Sequence, residues 1–167
     1  MHKMMLAALP LGLALGLGGC GNDAAPAPEA VEAPIMMKAG EWTLVRKTTG
    51  YNTPTVTPAE YQAALKQTDE DKLCIAVDAK GLPDADALAG GEGKDCSYKD
   101  KLLHKGRLIA TLSCKSGAGT SEIAVEGNVT ADTLTLGSTT TKTVNGSPVL
   151  RTTHDLTGKR QGDCSKA

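Results

Sequence analysis

Five cysteines, three histidines and one glycine-rich stretch are the residues of this 167-residue chain best suited to chemistry. The cysteines stand at Cys20, Cys74, Cys96, Cys114 and Cys164. None forms a C-x-x-C pair, so their spacing fits neither a zinc ribbon nor a thioredoxin-like redox pair. His154 and Asp155 are adjacent; on a strand they point to opposite faces and form no dyad. In phase with Leu150 and Leu156, His154 reads as a part-buried histidine with a hydrogen-bond partner. The sharper alternative makes it a ligand-facing group in a concavity. His104 falls in a turn and is expected in solvent. No G-x-S-x-G motif is present. Gly90-Gly91-Glu92-Gly93-Lys94 lacks both the Ser or Thr after lysine and the strand-to-helix setting of a phosphate loop. It reads as a flexible loop. Asp69-Glu70-Asp71 has no calcium-loop spacing and reads as a solvated acidic turn. No catalytic residue, metal site or cofactor is expected, and the chain does not read as an enzyme.

The first 20 residues carry the clearest signal. Met1-His2-Lys3 is a short positive segment, and Met4 to Leu17 is an apolar run too short to span a bilayer. It ends in Leu17-Gly18-Gly19-Cys20, which resembles a bacterial lipobox. The resemblance implies cleavage before Cys20 and lipid on its sulfur and new amino group, so residues 1–19 are expected to be a lipoprotein signal. Gly21, not Asp, follows Cys20, and by resemblance to lipoprotein sorting signals this implies the outer membrane, facing the periplasm. Residues 20–39 hold Pro26, Pro28 and Pro34 among Ala and Glu and read as an extended tether.

Removing Lys3 with the signal leaves 17 basic and 19 acidic residues. That balance lacks the basic bias of a nucleic-acid footprint. Phe is absent and there is one Trp, so the core must rest on Leu, Val, Ile and Ala. Thin cores gain most from disulfides. With Cys20 as lipid acceptor, four cysteines remain for two bridges in an exported chain.

Residues 40–164 read as one mainly β domain, with residues 165–167 as a tail. Trp42, Leu44 and Arg46 alternate with Thr43, Val45 and Lys47, as on a strand. Thr57-Pro58-Ala59-Glu60 is a capping box with Pro at the first helical position, and predicts a helix ending near Gln67. Its Tyr61/Leu65 face is the expected cover for the sheet. Residues 73–77 form a short strand, and residues 83–89 a short helix closed by Gly90-Gly91. Five β segments follow at 96–103, 107–114, 121–129, 134–144 and 149–158.

Hairpin arithmetic fixes a register. A three-residue His104-Lys105-Gly106 loop sets Leu102 opposite Leu108, Tyr98 opposite Leu112 and Cys96 opposite Cys114. Opposed cysteines lie within bridging range, so Cys96–Cys114 is expected and, by elimination, Cys74–Cys164. A Thr130–Thr133 loop sets Val129 opposite Leu134. At Asn145-Gly146 a three-residue loop or a bulge is needed to set Leu156 opposite Leu136. The result is an antiparallel meander or half-barrel. One apolar face is covered by one or two short helices, and the other face is polar. His154, Trp42 and Tyr61 are the candidates to face a ligand. Lys159 and Arg160 read as a solvated corner.

Gly40-Glu41-Trp42 at the start, four cysteines between, and Gly158-Lys159-Arg160-Gln161-Gly162-Asp163-Cys164 at the end resemble the proteobacterial envelope family called domain of unknown function 3617. That family has a G-x-W start, two cysteines on adjacent strands and a G-K-R-x-G-(D/E)-C end. The resemblance implies fold and location and carries no activity. Many members are rich in Met along the strands; here Thr and Ser stand there, which removes support for a Met-based metal or oxidant role.

The expected function is therefore a non-catalytic binding or structural module. It is held to the membrane by lipid on Cys20 and meets an envelope protein or cell-wall partner, not nucleic acid. Two alternatives are a carrier or sensor of a small apolar ligand between helix and sheet, and an inhibitor of a wall-lytic enzyme.

Overall fold

The computed structural model describes residues 35–165. The expected signal, Cys20 and most of the tether lie outside the described residues.

The chain opens with β1 (Gly40–Asn52), α1 (Pro58–Ala64) and β2 (Thr68–Ile75). After α2 (Ala85–Ala89) come β3 (Lys94–His104), β4 (Arg107–Ser116), β5 (Gly119–Val129), β6 (Thr133–Val144) and β7 (Ser147–Gly162). All seven strands join one antiparallel sheet in the order β2-β1-β7-β6-β5-β4-β3. Strands β3 to β7 are a simple meander. The first strand is not at an edge: it lies between β2 and the last strand.

Period-two patterning explains the sheet's sidedness. Leu108, Ala110 and Leu112 on β4, Ile123 and Val125 on β5, and Leu134 and Leu136 on β6 are all buried. Most of their outward neighbours are polar, among them Thr111, Ser113, Glu122, Glu126, Thr133 and Thr135, as expected where one face meets water. Trp42, Leu44, Ile75 and Leu156 extend the same core, and Met37 joins it from ahead of β1.

The cover of this face differs from the sequence expectation. α1 has the predicted capping box, with the Thr57 hydroxyl accepting from the Glu60 N–H and the Glu60 carboxylate accepting from the Thr57 N–H. It stops at Ala64 rather than Gln67, and only Ala64 is buried. Tyr61 is exposed. The cover is instead α2, whose Ala85, Ala87, Leu88 and Ala89 all enter the core. Its short, small side chains let the helix lie close to the strands. Asp69-Glu70-Asp71 is not a turn: it belongs to β2, where Asp69 pairs with Arg46 and Asp71 with Leu44. Edge strands tolerate such charge because one side of the ladder stays in water.

One turn also differs, and a second takes the bulged form that was one of the two expected. β3 and β4 join through a two-residue turn, Lys105-Gly106, both at positive φ (48° and 78°). His104 thus pairs with Arg107 and Leu103, not Leu102, faces Leu108. Leu102 points outward, 56% exposed. An irregularity between Tyr98 and Asp100 then restores Tyr98 opposite Leu112. It also turns Lys101 to the side of Ala110 and Tyr98. β6 and β7 use Asn145-Gly146 in the same turn geometry (φ 50° and 78°). A second irregularity, at Lys142/Thr143, sets Leu136 opposite Leu156 as expected. In both hairpins the turn residues and the core registers conflict by one residue, and a bulge absorbs it.

Both bridges form as expected. Cys96–Cys114 has Cα atoms 4.1 Å apart, and Cys74–Cys164 5.6 Å apart, the latter fastening the chain end to β2. Arg160 is not a free corner: its Nε donates to the Ala39 carbonyl at 2.9 Å and its guanidinium pairs with Asp163.

Candidate functional site

The inner face changes character along its length. At one end β1 contributes Trp42 and Leu44, β6 Leu134 and Leu136, and β7 Leu156, all buried. The same alternation then carries Arg46 and Thr48 inward on β1, Ser138 and Thr140 on β6, and Thr152 and His154 on β7, again buried. Register makes them neighbours: His154 lies between Thr48 and Ser138, and Thr140 faces Thr152. A sheet whose inner face was expected to be apolar throughout is therefore polar at one end. Edge to edge, the apolar half contains Trp42, whose Nε1 donates to the Lys38 carbonyl at 3.1 Å.

The strap between β2 and β3 first covers the apolar core, through Leu82 and α2. Asp78 sets its course by accepting from the N–H groups of Lys80 and Leu82 at 2.8 and 2.9 Å. Those bonds, the Leu82 N–H first, hold its carboxyl below the usual range. The Tyr98 hydroxyl donates to the Pro83 carbonyl at 2.7 Å, and burial, with Asp78 and Asp84 nearby, pushes that phenol up. A cleft of about 410 Å³ lies here, lined by Asp78, Leu82, Tyr98 and Lys101 among others. Its polar groups are already committed to holding the strap.

Beyond α2 the strap meets the polar end directly. Gly90 caps the helix at φ 54°. Its carbonyl accepts from Arg46 Nη1 at 2.9 Å. Asp71 Oδ2 is 3.7 Å from the same nitrogen. Glu92 follows: its carbonyl accepts from the Ser121 hydroxyl at 2.8 Å, and its carboxylate stands 3.6 Å from His154 Nε2. Burial holds His154 below the ordinary imidazole range, and Arg46 acts in the same direction against Glu92 and Asp69. The ring is neutral at neutral pH, with one N–H and one acceptor nitrogen.

Four polar atoms here have no hydrogen-bond partner: Arg46 Nη2, Thr140 Oγ1, Thr152 Oγ1 and His154 Nδ1. They are the buried side-chain atoms of this kind among the described residues. Each such atom costs roughly 1–3 kcal/mol if left unmade, so their grouping at one end of one face is a feature to explain. His154 Nδ1 has no partner, and its Nε2 faces Glu92. A buried cation beside hydroxyls and an imidazole can hold a polar or anionic group.

Of the three residues expected to face a ligand, His154 lies in this cluster, Trp42 is buried in the apolar half, and Tyr61 is exposed on α1. Sequence reasoning missed Arg46, Thr140, Thr152 and Glu92. The first three were in phase with Leu44, Leu136 and His154. Glu92 arrives from the strap, with no such signal.

The two ends of the domain give the remaining evidence. Residues 37–164 match the family model described as Protein of unknown function (DUF3617). The chain belongs to this family. The G-x-W start and the G-K-R-Q-G-D-C end of the DUF3617 domain adjoin in the fold, because Glu41 pairs with Gly162 and Trp42 with Arg160. The motif at the two ends is therefore one structural clasp, completed by Arg160 on Ala39 and by Cys74–Cys164. No curated protein and no solved structure matches this chain.

Proposed function

We propose that this DUF3617 protein is a lipid-anchored envelope lipoprotein whose β domain is a non-catalytic binding module. Its ligand is received at the polar end of the inner face. The grouping of four unpartnered buried polar atoms around Arg46 and His154 carries the binding reading. A purely structural core gains nothing from such groups, whereas a ligand that fills them recovers their hydrogen bonds. The apolar end is filled by Trp42, Leu88, Ile75 and their neighbours, which favours the polar end as the receiving one. Leu17-Gly18-Gly19-Cys20 supports the anchor, and paired cysteines fit an oxidising compartment.

Two measurements test this. Mass spectrometry of the N-terminal peptide from native envelopes should find acyl mass on Cys20, and Cys20→Ser should move the protein to the soluble fraction. An unmodified Cys20 with unchanged membrane association would refute the anchor. Native mass spectrometry of protein taken from its own host should show a bound small molecule, and a bare polypeptide mass throughout would refute the binding module.

A further inference from the structure

We infer that the ligand group is a carboxylate, and that Glu92, whose own carboxylate stands beside His154, is its built-in competitor. This rests on the binding-module reading above and goes on to name the chemistry.

The donor set supports a carboxylate. Arg46, Thr140, Thr152 and His154 are each more than nine-tenths buried. Each points an unpartnered polar atom inward. An ionised carboxylate accepts at two oxygens with about four lone-pair sites. One guanidinium N–H, two hydroxyls and an imidazole N–H would therefore satisfy it, and it would satisfy them. The guanidinium supplies the compensating charge, half-engaged already through Nη1 to Gly90.

The closed arrangement shows the same preference from within. Glu92 brings a carboxylate to 3.6 Å from His154, too far for a hydrogen bond but near enough for its charge to be felt. Its side chain is 24% exposed and stands on the Nε2 side of the ring, so it competes through its charge and leaves Nδ1 without a partner. The segment that carries it has one open point: no heavy atom lies within 4 Å of where a Gly91 side chain would start, whereas Gly90 packs on Arg46 and Gly93 on Cys114. Beyond Gly90, Ser121 Oγ to the Glu92 carbonyl and the Glu92 N–H to Ala89 are the bonds that hold it down. Swinging Glu92 outward removes the carboxylate beside His154, while Arg46 keeps its bond to the Gly90 carbonyl.

The test uses the full chain in detergent at pH 7.5, with Glu92→Ala, Glu92→Gln and Thr152→Val, and sodium acetate as probe. Sodium chloride and inorganic phosphate at matched ionic strength are the comparison arms. Acetate should raise the thermal midpoint of Glu92→Ala saturably and shift the His154 ring resonances. Its apparent affinity should be at least tenfold higher than for the wild-type chain, where Glu92 competes. Thr152→Val should melt higher than wild type without acetate, having lost an unpaired hydroxyl, yet its ring resonances should answer acetate at least tenfold more weakly. If Glu92→Ala unfolds, the near-isosteric Glu92→Gln carries the same comparison. Equal responses to acetate and chloride in both Glu92 variants would overturn the inference, and so would a stronger response to phosphate. In either case a non-acidic mass on the native protein leaves the binding module standing, and a bare mass removes both.

Discussion

Arg46 and His154 share one buried corner, and their charges set its pH response. His154 is held below the ordinary imidazole range first by burial and then by Arg46, against Glu92 and Asp69. An unfolded histidine titrates near about 6.5. The native state thus resists a proton that the unfolded chain accepts. The stability this provides is fully present above the unfolded value and falls as pH drops through that value toward the native one. Thermal midpoints from pH 7.5 to 5 should fall for the wild-type domain, and the fall should be shallower in His154→Gln. Parallel profiles would show that another group governs the response. The corner was partly legible in the sequence. Arg46 follows Trp42 and Leu44 at strand spacing, and Thr140 and Thr152 follow leucines or His154 in the same way. A cation in phase with Trp and Leu on an inward face already marks an interior polar site. Glu92 was not legible, because only the course of the strap brings it to His154.

Among the elements, the strap decides what the sheet can do. Gly90 does two jobs: it ends α2 in the left-handed region, and its missing side chain leaves room for Arg46. A Cβ there would lie 1.4 Å from Arg46 Nη2. Gly90→Ala should therefore cost about 2–3 kcal/mol by combining backbone strain with displacement of a buried cation. Gly91→Ala, with open surroundings, should cost only the strain, about 1 kcal/mol. Chemical denaturation of both variants checks the contrast, and equal losses would show that Arg46 moves freely. The sequence placed the strands well because alternation was strong from Leu108 to Leu156. It misjudged the cover because Tyr61 and Leu65 are larger than the alanines of α2, and size was taken as the mark of burial. It allowed a bulge at Asn145-Gly146 but missed the one in the first hairpin, because a turn's own preference and a strand's apolar phase are separate demands. Lys105-Gly106 and Asn145-Gly146 satisfy the first, and the irregularities near Tyr98 and Lys142 reconcile the second.

At the level of the whole molecule, two bridges of very different reach hold a thin core. Cys96–Cys114 spans 18 residues within one hairpin, and Cys74–Cys164 spans 90. On loop-closure grounds the longer one restrains the unfolded chain more, by roughly 1–2 kcal/mol. Cys74→Ala/Cys164→Ala should accordingly lower the thermal midpoint further than Cys96→Ala/Cys114→Ala. The reverse order would mean that the hairpin edge, not the clasp at the two chain ends, limits stability.

The placing of β1 between β2 and β7 also sets a sequence of events in time. The first strand gains its second neighbour only when the last one has arrived, about a hundred residues later. Pairing between distant segments is slow, while the β3–β4 hairpin is local and quick. During oxidative refolding the single-bridge species should carry Cys96–Cys114, with Cys74–Cys164 appearing only as the sheet completes. A ribosome or a translocation pore releasing this chain from its amino end would thus hold β1 half-paired until β7 emerged, and the last bridge would act as the latch on a finished fold.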